Sequence, residues 1–198
     1  MPAKPLLFAT HNKHKMAEVR QLIPAQFEVI GLDDIGFHHD IPEPYDTFID
    51  NARAKTTFLF QQTGLICFAE DSGLEVDALQ GRPGVYSARY AGDHRGPEDN
   101  IRKVLDELGS TQNRSARFIA LMAFRSSKDE VHFFKGTVEG SISTSPRGKN
   151  GFGYDPIFIP NGFDQTFGEL SVAIKNRISH RRKALDKFLE FLSGYRQS

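Results

Sequence analysis

Glu70 and Asp71 stand side by side after an apolar run, Leu65–Ala69, in the stretch FAEDSGLEVDAL. Two carboxylates at the end of a strand that reads as buried are costly unless a cation is near. Magnesium takes one or two carboxylates, several waters and substrate phosphates. Glu70, Asp71 and the acidic loop around Glu43 therefore suit a metal that arrives with a phosphorylated ligand, although solvated loop acids or capping groups give the same pattern. The segment Thr10-His11-Asn12-Lys13-His14-Lys15 follows a first apolar stretch. Backbone N–H groups at a helix start, with Lys13 and Lys15, would suit a phosphate; a polar turn with a Thr or Asn cap is the plainer reading. It is not a Walker loop, because GxxxxGK[ST] occurs nowhere in the chain.

A third candidate is SPRGKNGFGYD, residues 145–155. Gly148, Gly151 and Gly153 would let backbone approach a ligand closely, and Phe152 or Tyr154 could stack a base. A fourth is KNRISHRR, residues 175–182, where basic residues and a histidine gather at the start of the last predicted helix. Helix N-termini favour acids, so cations there suit a phosphate or a base, or form a solvated basic face or a nucleic-acid patch, the last opposed by the even overall charge. Arg89 in SARYA reads equally as a phosphate, interface or structural group, and His38-His39 lacks a third ligand at metal spacing. G-x-S-x-G, H-E-x-x-H and the kinase motifs are absent. Cys67 lies in an apolar run and reads as an inert core thiol.

The elements that must position these groups follow from periodicity. Pro5–Thr10 reads as a strand, and Asn12–Ile23 as a helix with Met16, Val19, Leu22 and Ile23 on one face, ended by Pro24. Phe27–Leu32 is a short strand. Thr47-Phe-Ile-Asp50 has the capping-box pattern and opens a helix that Gly64 closes. Leu65–Ala69 is a strand, Pro97–Leu108 a helix, and RFIALMAF, residues 117–124, a central strand apolar on both faces. Val131–Ser141 returns as its partner, Pro156–Ile159 adds a strand, and Ser179 caps a last helix. The pattern is an α/β chain with a mixed sheet.

The chain has 198 residues, 39% hydrophobic, which suffices for one sizeable core or one domain with a lobe. Lys+Arg and Asp+Glu balance at 25 each, so any binding of phosphate or nucleic acid is local. The first residues are too poor in apolar side chains for a signal peptide, and no run approaches the roughly 20 apolar residues that span a bilayer. A cytoplasmic protein, with no membrane or nucleic-acid partner, is the expectation.

Taken in order, THNKHKMAEV, FIDNARAKT, AEDSGLEVDAL, GRPGVYSARYAG, FKGTVEGSI, GFGYDPIF and ISHRRKAL resemble the inosine triphosphate pyrophosphatase family, also described as the XTP/dITP diphosphatase family. The likeness runs from about residue 6 to residue 192. It implies an α/β fold, an elongated mixed β-sheet with flanking helices in two lobes around a central cleft, assembled as a homodimer. The implied reaction is Mg2+-dependent hydrolysis of ITP, dITP and XTP to the monophosphate and pyrophosphate, which removes deaminated purines from the nucleotide pool.

By position, the resemblance gives Asp71 as proton acceptor and metal-associated carboxylate, with Glu43 as a second acid serving the metal. Thr10, His11, Asn12, Lys13, His14 and Lys15 would hold the phosphates, with Lys55 and Ser72 beside them. Phe152, Gly153, Tyr154 and Asp155 would embrace base and sugar, and Lys175, His180 and Arg181 would complete the base pocket. A 6-oxo purine presents an acceptor where adenine presents an amino donor, so donors such as Lys175 and Arg181 would favour hypoxanthine or xanthine. The chain departs from the family in three places. His11 replaces a usual Gly, Glu70 replaces a usual Asp, and Ser171–Lys175 lacks the acids that commonly precede the Lys. A Maf-type pyrophosphatase of other base specificity is the nearest enzyme alternative; a non-catalytic nucleotide- or RNA-binding protein on the same fold is the other.

Overall fold

The early alternation of apolar stretches with amphipathic ones produces the expected mixed α/β architecture, seen in a computed structural model that describes residues 4–195. Its elements are β1 (Lys4–Phe8), α1 (Lys13–Leu22), β2 (Phe27–Ile30), α2 (Phe48–Thr63), β3 (Cys67–Val76), α3 (Pro97–Leu108), β4 (Ser115–Arg125), β5 (Val131–Ile142), β6 (Phe158–Pro160), α4 (Val172–Ile178) and α5 (His180–Gly194). Six strands form one sheet in the order β2-β1-β3-β4-β5-β6. β1 pairs in parallel with β2 and β3, and β5 pairs antiparallel with β6.

Local chemistry sets the helix starts. Asn12 caps α1, its Oδ1 accepting from the N–H groups of His14 (3.0 Å) and Lys15 (3.1 Å). Thr47 caps α2: its Oγ1 accepts from Asp50 N at 3.2 Å and donates to Asp50 Oδ2 at 2.6 Å. Gly64 ends that helix in the left-handed region, φ +67°, where a residue without Cβ is unstrained.

Two elements differ from the sequence expectation. The strand predicted to stop at Ala69 continues to Val76, so Glu70 and Asp71 lie in mid-strand. The segment after them alternates and is largely buried, and Gly73 sits within it without breaking the extension. Adjacent strand residues point to opposite faces, and the two carboxylates accordingly meet different helices. The basic segment 175–182 spans two helices, not the start of one: Lys175 lies in α4, which Ser171 caps by accepting from Ile174 N at 3.3 Å. The stretch SVAIKNRI is too short for periodicity alone to reveal a helix.

The chain divides into two compact units. The first holds residues up to Asp71, 120–136 and from Arg182 on; the second holds 72–119 and 137–181. The first is centred on Phe8, Phe68, Phe124, Phe134 and Phe188. The second is centred on Leu74, Phe118, Phe158, Phe167 and the α3 face Ile101, Val104 and Leu108. Each fully buried Phe contributes roughly 1.5–3 kcal/mol of transfer free energy.

Candidate active site

In the first unit, three segments converge around Asp71. The residue is 4% exposed. Two side chains one turn apart on α2 address it: Asn51 Nδ2 donates to Asp71 Oδ2 at 3.2 Å, and Lys55 Nζ lies 3.6 Å from Oδ1. Lys55 Nζ also pairs with the Glu43 carboxylate and donates to the Glu70 carbonyl at 3.1 Å. Burial pushes the Asp71 carboxyl above the usual carboxylate range, against the pull of Lys55 and Lys15. On the other face of β3, the buried Glu70 carboxylate pairs with Lys15 of α1 at 3.3 Å.

The turn preceding α1 holds the other expected phosphate residues. Thr10 Oγ1 accepts from Asn12 N at 3.1 Å, and a hollow beside the turn is lined by Thr10, His11, Asn12 and Lys13 together with Arg20 and Asp33. Both the plain capping reading and the basic surroundings are realised: the N–H groups of His14 and Lys15 are engaged by Asn12, while Lys13 and His14 are exposed. His11 Nε2 lies 3.0 Å from the His39 carbonyl. His11 does not occupy the left-handed region; among the described non-glycine residues only Gln80 has positive φ. The backbone at position 11 therefore does not call for the glycine that the resemblance leads one to expect there.

In the second unit, the Gly-rich loop and α4 meet. Lys175 Nζ lies 2.7 Å from Asp155 Oδ2, and that oxygen also accepts from Phe152 N at 2.7 Å. The Lys175 ammonium stands 4.8 Å, and the Arg181 guanidinium 5.6 Å, from the Phe152 ring centre, a cation–π arrangement on both counts. Arg181 is 1% exposed. Tyr154 is buried, its hydroxyl donating to the Ser87 carbonyl at 2.8 Å, and burial pushes that hydroxyl up. Gly153 has φ +60° with open space where a Cβ would stand. The His180 ring stacks on Phe118 with centres 4.8 Å apart. Ser72 is half-buried on β3, the first residue of this unit. The structure thus brings Glu43, Lys55 and Asp71 together, and Phe152, Asp155, Lys175 and Arg181 together. Sequence reasoning missed Asn51, although its i, i+4 spacing from Lys55 placed it on the same helix face.

A divalent ion fits the first cluster only as a shared guest. Among the described residues, no three His, Cys, Asp or Glu side chains are grouped to hold a metal. Glu43 and Asp71 nevertheless already converge on one positive group, the Lys55 ammonium. Two carboxylates, with water and phosphate oxygens for the rest, are a donor set that Mg2+ accepts and a fully caged ion does not need.

The fold is that of an α/β protein built on one six-stranded mixed sheet. The Ham1 family profile matches residues 6–191, and the chain belongs to that family. It is 45% identical over 189 residues to a dITP/XTP pyrophosphatase of Flavobacterium johnsoniae, covering 96% of this chain and 98% of the relative. A dITP/XTP pyrophosphatase of Porphyromonas gingivalis is 46% identical over 188 residues, covering 94% of this chain and 96% of the relative. Among solved structures, the Ham1 protein of Staphylococcus aureus superposes with a TM-score of 0.88 at 40% identity, covering 96% of this chain and 99% of that one. A Ham1 protein from Coxiella burnetii gives 0.90 at 37% identity, covering 97% and 100%.

Proposed function

We propose that this protein hydrolyses deaminated purine nucleoside triphosphates, dITP, XTP and ITP, to the monophosphate and pyrophosphate, using Mg2+. The observation that carries the reading is identity of 45% across 96% of the chain with a dITP/XTP pyrophosphatase. The residue clusters support it. Asp71, ionised and held by Asn51 and Lys55, accepts the proton of the attacking water. Lys15 and Lys55 bind phosphate oxygens, and their positive charge stabilises what develops in transfer, where positioning and electrostatics dominate. Mg2+, when bound through Glu43 and Asp71, supplies neutralisation of phosphate charge. Phe152 stacks on the base, and the Lys175 and Arg181 donors recognise a 6-oxo group. An adenine amino group there leaves a donor unpaired, and an unpaired buried donor discriminates strongly. Action as a homodimer in the cytoplasm is part of the same reading and rests on the family resemblance; no helix among the described residues is long and apolar enough to cross a membrane.

Pyrophosphate release from dITP, XTP, ITP and ATP, each with Mg2+ and with EDTA, tests the proposal. Release from the deaminated purines far above that from ATP, and abolished by EDTA, is expected. Preference for a pyrimidine or modified nucleotide would replace it with the Maf-type reading, and nucleotide binding without release with the binding-protein reading.

A further inference from the structure

Asn51 is 1% exposed, and its side-chain amide is fully engaged. Oδ1 accepts from Tyr45 N at 3.0 Å; Nδ2 donates to Tyr45 O at 2.9 Å and to Asp71 Oδ2 at 3.2 Å. One planar group on α2 therefore grips both backbone polar atoms of Tyr45 and one carboxylate oxygen of Asp71. Tyr45 as a residue is 50% exposed, so burial of its ring does not anchor the segment. Glu43 lies two residues upstream, flanked by Pro42 and Pro44. Proline fixes its own φ and restricts the residue before it, so Glu43-Pro44-Tyr45 is a stiff unit. Fixing Tyr45 consequently fixes the backbone from which the Glu43 carboxylate reaches the Lys55 ammonium. Lys55 also touches Glu43 and Asp71, but an ammonium on a four-carbon stem is a rotatable point charge without the directionality of a planar amide.

We infer that Asn51 is a positioning residue: its amide holds the Glu43 segment in fixed relation to Asp71 and thereby sets the cation affinity of that carboxylate pair. This rests on the reading of Glu43 and Asp71 as groups that share a cation. Groups that orient metal-binding side chains typically change metal affinity about 10- to 100-fold when removed.

The test is Mn2+ titration of the protein loaded with a non-hydrolysable α,β-methylene analogue of dITP, followed by electron paramagnetic resonance, with hydrogen exchange at the Tyr45 amide in the variants that keep it. Wild type, Glu43→Gln, Asn51→Ala and Tyr45→Pro are compared. Asn51→Ala is expected to weaken Mn2+ binding about 10-fold or more and to speed Tyr45 exchange. The nucleotide KM at saturating metal should stay within about twofold, since the nucleotide's own contacts remain. Tyr45→Pro removes the N–H that Asn51 accepts from, together with a half-exposed ring, leaves the Asn51 Nδ2 bond to the carbonyl of residue 45 and the α2 sequence in place, and is expected to weaken Mn2+ about threefold. Mn2+ affinity lowered in Glu43→Gln but unchanged in Asn51→Ala overturns the inference alone. Affinity unchanged in Glu43→Gln overturns the shared-cation reading and the inference with it. If Asn51→Ala does not fold, unchanged affinity in Tyr45→Pro overturns the inference.

Discussion

The Lys175 ammonium and the Asp155 carboxylate form a buried pair at 2.7 Å, their side chains 5% and 3% exposed. The same carboxylate oxygen accepts from Phe152 N, so one atom ties the Gly-rich loop to α4. Gly151 makes this possible: a Cβ there would stand 2.0 Å from Asp155 Oδ2, and its φ is +75°.

Removing one partner of such a pair leaves a buried charge uncompensated, which costs about 3–5 kcal/mol. Asp155→Ala is therefore expected to lose roughly that much in urea denaturation, and Asp155→Asn, which keeps the shape and an acceptor, distinctly less. Equal stability of Asp155→Ala and wild type would show the pair to be dispensable.

Cys67 is 0% exposed, and burial pushes its thiol up to about 12. The reactive form is the thiolate, so at neutral pH the folded protein should not react with a disulfide reagent such as DTNB over hours, and should react at once in denaturant. Rapid labelling of the native protein would contradict the packing around β3.

How much of this was legible beforehand divides by range of interaction. Thr47 and Asp50, Asn12, Pro24 and Gly64 announced helix ends because capping is local chemistry. Glu43 and Asp71 read as possible partners from their carboxylate chemistry alone, but Lys55 beside them, and Lys175 and Arg181 beside Phe152 and Asp155, follow only from the family resemblance, since segments far apart in sequence carry no local signal of meeting. Periodicity misplaced the end of β3, because a strand that carries charges toward two helices does not read as buried. It also missed α4, only Val172–Ile178 long. The opposed directions of Glu70 and Asp71 were implicit in the two-residue period of a strand, but only the continuation to Val76 makes that period apply.

His11 offers a test of the turn before α1. The residue is exposed, outside the left-handed region, and linked to the His39 carbonyl at 3.0 Å. His11→Gly restores the family's usual residue, loses that hydrogen bond and adds backbone freedom to the unfolded chain, a cost of about 0.5–1 kcal/mol. A melting temperature lower by roughly 1–4 °C is expected for a chain of this size, with kcat/KM on ITP changed by less than about threefold, or under 1 kcal/mol. A large gain in kcat/KM would mean that the imidazole obstructs the phosphates.

Asp71 joins stability to turnover through its protonation. Its carboxyl is raised above the ordinary value of 3.8, with burial the leading cause. Between that ordinary value and the raised one, the native protein holds a proton that the unfolded chain has released. Native binding of more protons means that stability falls as pH rises through this window and stays lower above it. Asp71→Asn carries no such charge. In the presence of EDTA it should be more stable than wild type at pH 7, and the difference should narrow as pH approaches 4. Turnover should move the other way. Loss of a general base costs about 100- to 10,000-fold in kcat, and the wild-type kcat/KM should fall on the acid side with an apparent pKa above 3.8. Denaturation of both proteins across pH 4–7.5, beside pyrophosphate release from ITP, measures the two effects on the same carboxylate. An Asp71→Asn protein that is less stable at pH 7 and still turns over would remove Asp71 from both roles.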